Sequence, residues 1–293
     1  MDFLKYFVKM NMTSKEIKNT NLLDSYSSSI NSFAQFKSLA VFVTTTDIEF
    51  ECLYKLFNWR RLYMGETGYY YYETFIKKGD SNFRILMTRQ NNMGMIASTR
   101  TATNIIWNFI PQYIIMTGVL AGIKHNNDNL VLGDVIIADK VWNCSSGKYI
   151  KTSNDTPQSN ETEFMPRPQT IKIPNSVVSL LKKAVSDKNC LYPAHIGPIT
   201  SSMSVVANTK IIQNRIISHS KNTIGLDMES YGIAYACHIE SSLKPTPIII
   251  KGICDFANSQ KNYNYQRYAA NNSSKLSKFI LENYLPVYTP TIS

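Results

Sequence analysis

The chain has 293 residues, 44% of them hydrophobic and 18% charged, with a formal net charge of +10. This composition excludes an intrinsically disordered chain, and no apolar run reaches the about 20 residues that a membrane-spanning helix needs. The basic surplus is spread along the chain, +1 over residues 1–36 and +3 in each of 37–150, 151–210 and 211–293, so no basic arm exists to grip nucleic acid.

Residues 1–36 are polar and Ser/Asn-rich over Ser25–Ser32. They read as an N-terminal extension with one short helix around Ser14–Leu23. From Leu39 the texture changes to short apolar runs rich in β-branched and aromatic residues: Leu39–Val43, Phe83–Met87, Tyr113–Met116, Val135–Ala138 and Pro247–Ile250. Runs of this kind suit strands buried on both faces. Helical spacing lies between and after them, over Glu49–Phe57, Ile96–Phe109, Val177–Val185, Lys210–Ile217, Met228–Ile239 and Tyr268–Tyr284. The alternation predicts an α/β fold around a largely parallel sheet, in one domain over 37–290. The Ser/Asn/Thr/Pro-rich segment 143–170 reads as a long surface loop. Tyr69–Tyr72 is expected at an edge or a subunit contact, because adjacent strand residues point to opposite faces and cannot form one stacking platform.

The five cysteines (Cys52, Cys144, Cys190, Cys237, Cys254) form no C-x-x-C pair, and the four histidines (His125, His195, His219, His238) do not fall at metal spacing. Neither a disulfide framework nor a metal site is expected. The N-terminus lacks the apolar core and cleavage site of a secretory signal, so a cytoplasmic location with no membrane association is expected. Phosphate-binding G-x-x-x-x-G-K-[ST] and G-x-G-x-x-G motifs are missing, as is the G-x-S-x-G nucleophile elbow. What remains is a pair of carboxylates next to apolar strand ends. Asp255 follows the run Ile248–Ile253, where ligands of open α/β sheets gather, or it is a helix N-cap. Glu229 opens an apolar helix, as a site residue or as a first-turn acid favoured by the helix dipole.

Four stretches carry a resemblance: Pro111–Gly122, Leu132–Asp139, Gly225–Gly232 and Lys251–Ala257. In this order and spacing they resemble the nucleoside phosphorylase/nucleosidase superfamily over about 39–285. A bacterial subgroup that often accompanies signalling or defence modules is similar in Gly133–Val135, Ser146–Lys148 and His195–Pro198. The resemblance implies a single-domain, three-layer α/β/α fold with a mixed central sheet. It implies an enzyme without metal or organic cofactor, acting on a purine nucleoside or nucleotide through an oxocarbenium-like transition state, and a homo-oligomer.

Residue by residue, the resemblance makes Glu229 the acceptor of the ribose 2′ and 3′ hydroxyls, with Met228 against the sugar, and Asp255 the acid that protonates purine N7. Cys254 stands where the family often has a serine. Glu49 aligns with the glutamate that orients water in nucleosidases, where phosphorylases carry a phosphate-gripping arginine. Met116 and Val119, next to Gly118, stand where phosphorylases carry an Arg and a Ser that hold phosphate. Hydrolysis is therefore expected over phosphorolysis, although Arg89 and Arg100 leave an anion possible. Val205 and Val206 match the loop that packs on the base, and Met203 and Trp142 are candidates for additional base surface. The alternatives are a phosphate-dependent phosphorylase and a non-catalytic nucleoside-binding or sensory module. A charged substrate such as ATP or AMP would use Arg100, Lys148, Arg167 or Lys251.

Overall fold

The computed structural model describes residues 38–63, 70–125, 129–151, 162–206, 208–239, 244–257 and 264–287. In chain order the elements are β1 (Ala40–Thr44), α1 (Asp47–Tyr54), β2 (Arg60–Tyr63), β3 (Tyr70–Lys78), β4 (Ser81–Arg89), α2 (Met95–Phe109), β5 (Tyr113–Gly122) and β6 (Val135–Asn143). They continue as β7 (Gly147–Lys151), β8 (Thr162–Pro166), β9 (Thr170–Lys172), α3 (Asn175–Val185), β10 (Ala194–Ser201) and α4 (Thr209–Ile211), which runs on as a π-helical turn over Ile212–Ile217. β11 (Gly225–Asp227), α5 (Ser230–Ile239), β12 (Thr246–Asp255) and α6 (Asn264–Asn283) complete the chain. The expected polar extension and its helix lie outside the described residues.

The apolar runs form the centre of the sheet because they bury both faces. In β1, Val41 and Val43 pack with Ala102, Ile105 and Ile106 of α2 and Ile233 of α5. The alternate residues Ala40 and Phe42 pack with Leu53 of α1, Leu181 of α3 and Leu276 of α6. The strand period of two thus sorts one sequence into two cores. Two helical layers sandwich the sheet, the α/β/α arrangement expected. Where α5 crosses α2, a Cβ at Gly232 would lie 2.3 Å from the Met95 carbonyl oxygen, so only glycine permits this approach.

The sheet order is β2-β3-β4-β1-β5-β12-β6-β10-β11, with β9 added to β6. Pairing is parallel along β4–β1–β5–β12 and along β6–β10–β11. It turns antiparallel where β6 meets β12 and at the outer β2–β3–β4 wing. Gly225 and Leu226 of β11 also pair with Gly122 and Ala121 of β5, which closes β5, β12, β6, β10 and β11 into a small barrel. The C-terminal end of β1, the C-terminal halves of β5 and β12 and the short β11, antiparallel to β5, consequently meet at one rim.

Two sequence expectations are corrected. Segment 143–170 is not a loop throughout: β7 and β8 pair antiparallel, and β9 extends the main sheet. These polar strands lack an apolar run, and their cross-strand Tyr149–Phe164 contact, with centroids 5.2 Å apart, is a pairing feature that composition hides. Tyr71 is core, stacked edge-on to Phe109 at 4.6 Å, because β2 and β4 flank β3 on both sides. Tyr70 is exposed, as the alternation requires, and Tyr69 lies outside the described residues. Among the described residues no helix is long and apolar enough to cross a membrane.

Candidate active site

The turn from β1 into α1 places the first carboxylate. Thr46 caps the helix by accepting from the Glu49 N–H at 3.3 Å, and Glu49 Oε2 accepts in return from the Thr46 N–H at 2.9 Å. T-x-x-E is the ordinary capping box, but Glu49 does more than cap. Its Oε2 also accepts from the Thr45 N–H at 2.8 Å, and its Oε1 accepts from the Val119 N–H of β5 at 2.8 Å. The residue is only 2% exposed. Three main-chain donors therefore hold an acid inside the rim. Gly118 makes this possible, because a Cβ there would lie 2.2 Å from Glu49 Oε1. Gly118→Ala is expected to expel the carboxylate from its cradle and to cost about 1–3 kcal/mol of stability, measured by urea denaturation.

The short β11 places the second group. Asp227, at its end, accepts from Ser201 Oγ at 2.7 Å, from the Ser230 N–H at 3.1 Å and from Ser230 Oγ, which locks the entry to α5. Asp227 therefore does the helix capping. Glu229 is left to turn away from its own helix: Oε1 accepts from the Gly94 N–H ahead of α2 at 2.9 Å, and Oε2 lies 3.3 Å from the Met228 nitrogen. This is not the behaviour of a first-turn acid. Burial pushes the Glu229 carboxyl up to about 7; the neighbouring Asp227 and Glu49 charges push the same way, while Lys251 and the Gly94 N–H oppose them. Met228 is half-buried beside it.

Asp255 ends β12 just past a register shift against β5. Its Oδ1 accepts from the Ala257 N–H at 2.7 Å, and its Oδ2 faces the Cys254 thiol at 3.7 Å. It is no helix cap, since α6 begins only at Asn264. The Cys254 thiol also reaches the Leu120 carbonyl oxygen at 3.4 Å, and burial beside Asp255 pushes its pKa up to about 12. A neutral thiol is a weaker donor than a serine hydroxyl.

One group takes a different place from the expected one, which was contact with a charged substrate. Lys251, four residues before Asp255, is fully buried, with Nζ 3.8 Å from Asp227 Oδ2. The charges of Glu49, Asp227 and Glu229 hold its pKa above the ordinary lysine value despite the opposing cost of burial. Its charge is turned to these carboxylates, not to solvent. A lysine inside a run buried on both faces was the available signal. The structure thus brings Glu49, Gly118, Val119, Met228, Glu229, Lys251, Cys254 and Asp255 to the same rim.

The base-binding residues divide. Val206 is buried with Leu226, Ile123 and Ala257 next to the Asp255 turn. Val205 and Met203 are 60% and 54% exposed. Trp142 is core: its indole N–H donates to Thr223 Oγ1 at 3.2 Å, so it offers no base surface. Among the described residues no group of three or more His, Cys, Asp or Glu could hold a metal ion.

A sequence profile of the phosphorylase superfamily matches residues 64–285. The chain belongs to the phosphorylase superfamily. It is 27% identical over 236 residues to the uncharacterized protein y4jS of Sinorhizobium fredii, covering 75% of this chain and 54% of that one. It is 24% identical over 213 residues to the ATP nucleosidase Cap17 of Escherichia coli, covering 67% and 41%. The chain therefore spans about half the length of these two relatives. A smaller relative, the 5′-methylthioadenosine/S-adenosylhomocysteine nucleosidase of Buchnera aphidicola, is 27% identical over 196 residues, covering 66% and 77%. The corresponding nucleosidase structure from Neisseria meningitidis, in complex with methylthio-immucillin-A, superposes with a TM-score of 0.65 at 20% identity, over 83% of this chain and 98% of that one. Futalosine hydrolase of Helicobacter pylori gives 0.65 at 18% identity, over 85% and 98%. These superpositions establish the phosphorylase-superfamily fold.

Proposed function

We propose that this phosphorylase-superfamily protein is a purine N-ribosyl hydrolase, releasing adenine from a nucleoside or nucleotide with water as nucleophile. The observation that carries the reading is the caged Glu49 carboxylate at the rim it shares with Glu229. A carboxylate there repels a phosphate dianion and suits a water that must lose a proton. Met116 is buried core and Val119 contributes only its N–H, to Glu49, so neither side chain can hold phosphate. The nucleosidase names of the Escherichia coli and Buchnera relatives support the same reading.

In this reading Glu229 accepts the ribose 2′ and 3′ hydroxyls, and Met228 packs on the sugar. As the C1′–N9 bond breaks, its electron pair passes to the base and Asp255 delivers a proton to N7. Water oriented by Glu49 adds to C1′ and passes its proton to the Glu49 carboxylate. Three carboxylates against one buried ammonium leave the rim negative, which stabilises a ribosyl cation more than the neutral substrate. A groove of 280 Å³ lined by Asn91, Asn92, Met93, Ile96, Ala97 and Arg100 adjoins Gly94 in the chain, and Arg100 there favours a phosphorylated substrate. Lys148 and Arg167 are exposed on and beside the β7–β8 hairpin, and Lys251 is committed to carboxylates. A homo-oligomer in the cytoplasm remains part of the proposal.

Incubation with adenosine, AMP and ATP in phosphate-free buffer, read by product chromatography, is expected to yield free adenine. Turnover strictly dependent on phosphate would instead make the protein a phosphorylase. Saturable binding without turnover would make it a sensory module.

A further inference from the structure

Lys251 enters the rim from the middle of β12, where it sits opposite Gly118 of β5 and Ile136 of β6. It is 0% exposed, and among the described residues its ammonium meets no acceptor at hydrogen-bonding distance. A lone ammonium in such a place tends to lose its proton, because desolvation penalises the charged form. Here Asp227 Oδ2 at the end of β11 lies 3.8 Å away, and Glu49 of α1, Glu229 of the turn before α5 and Cys254 of its own strand act on it as charges through space. Glu229 in turn is faced by Lys251, Asp227, Glu49 and the Gly94 N–H.

We propose that Lys251 is a positioning residue, the built-in counter-cation of the sugar subsite, whose field favours the ionised form of Glu229 beside two like charges, the form that accepts ribose hydroxyls. The proposal rests on the nucleosidase reading for what Glu229 does, but not for the coupling itself. Without the ammonium, Glu229 is buried beside Asp227 and Glu49 with no opposing cation, and a proton is the only way to relieve the repulsion. The cation acts through space rather than through a directed bond, since even its Asp227 contact is 3.8 Å. The sign of the charge therefore matters more than the shape of the head group. Asp227 is already satisfied by Ser201 and Ser230, so Glu229 is the carboxylate most dependent on the cation.

The test follows the Glu229 carboxyl by ¹³C NMR in the free protein, alongside the pH profile of kcat/KM for adenine release. In Lys251→Met the Glu229 midpoint and the acid limb are both expected to rise by about one pH unit or more. The rate at neutral pH falls about fivefold or more and recovers on going alkaline. Lys251→Arg is expected to restore the wild-type midpoint. An unmoved midpoint, with activity lowered by the same factor at every pH, would overturn the proposal and leave Lys251 a packing residue. A measurement on the wild-type protein covers the case of a variant that does not fold. The Lys251 ¹³Cε resonance is expected to report an ammonium from about pH 6 to about pH 9, and an amine within that range overturns the proposal. If the midpoint moves as expected but wild-type protein releases no base, the nucleosidase reading fails and the electrostatic coupling stands.

Discussion

Asp255→Asn is expected to lower kcat for base release by about 10²–10⁴-fold, the usual worth of a positioned general acid. Ligand affinity should change little. Asn keeps the oxygen that accepts from the Ala257 N–H at 2.7 Å, so the turn at the end of β12 survives. What it loses is the proton for N7, a contribution made only as the glycosidic bond breaks. An interaction confined to the transition state lowers kcat and kcat/KM together. Single-turnover rates with calorimetric binding of adenosine separate the two quantities. A kcat within tenfold of wild type would remove Asp255 from the reaction.

Glu229→Gln is expected to have opposite effects on catalysis and on stability. Turnover should fall by about 10²–10³-fold, because an amide cannot supply the negative charge that a ribosyl cation needs. Stability should rise at alkaline pH. The Glu229 carboxyl titrates at about 7 in the native state because it is buried near Asp227 and Glu49, against about 4.3 in an unfolded chain. A group whose folded pKa is raised gives its full contribution below the unfolded value and loses it as pH rises through the folded one. Ionised Glu229 therefore costs about 3 kcal/mol above pH 7. Gln avoids that cost while still accepting from the Gly94 N–H, so the variant gains about 3 kcal/mol at about pH 9 and almost nothing at about pH 4. Urea unfolding at the two pH values checks it; equal gains at both would show that the charge is not responsible.

The sequence displayed those parts of the fold whose signal is local. β1, β5 and β12 are apolar on both faces, and α2 and α6 repeat apolar residues at helical spacing, so each shows in its own composition. β10 and β11 do not. Ala194–Ser201 contains Gly197 and Pro198, and β11 is three residues long, held by ladders to β10 and β5 that only the closed barrel supplies. The β2–β3 hairpin was hidden for another reason: Glu73, buried in β3 between the exposed Arg60 and the largely buried Arg84, breaks the expected pattern with an ion cluster.

The site divides in the same way. Glu229 and Asp255 were visible as acids beside apolar runs, and family resemblance supplied their roles. Glu49 was visible too, although T-x-x-E alone says only that a helix starts. The coupling between Lys251 and the three carboxylates was not visible, because those groups lie on β12, α1, β11 and the turn before α5 and meet only through tertiary closure. The base-facing surface was least legible: Trp142, a plausible aromatic platform by composition, is tied to Thr223 inside the core.

The cradle around Glu49 has an implication for how the protein can vary. Its three donors, the N–H groups of Thr45, Thr46 and Val119, belong to the main chain. Every amino acid except proline supplies the same group. No exchange at those positions other than to proline deletes a donor, so orientation of the acid is tolerant of mutation at Thr45 and Val119 and intolerant at Gly118. At Val119 it is the backbone N–H that Glu49 uses, so the side chain there is free to drift.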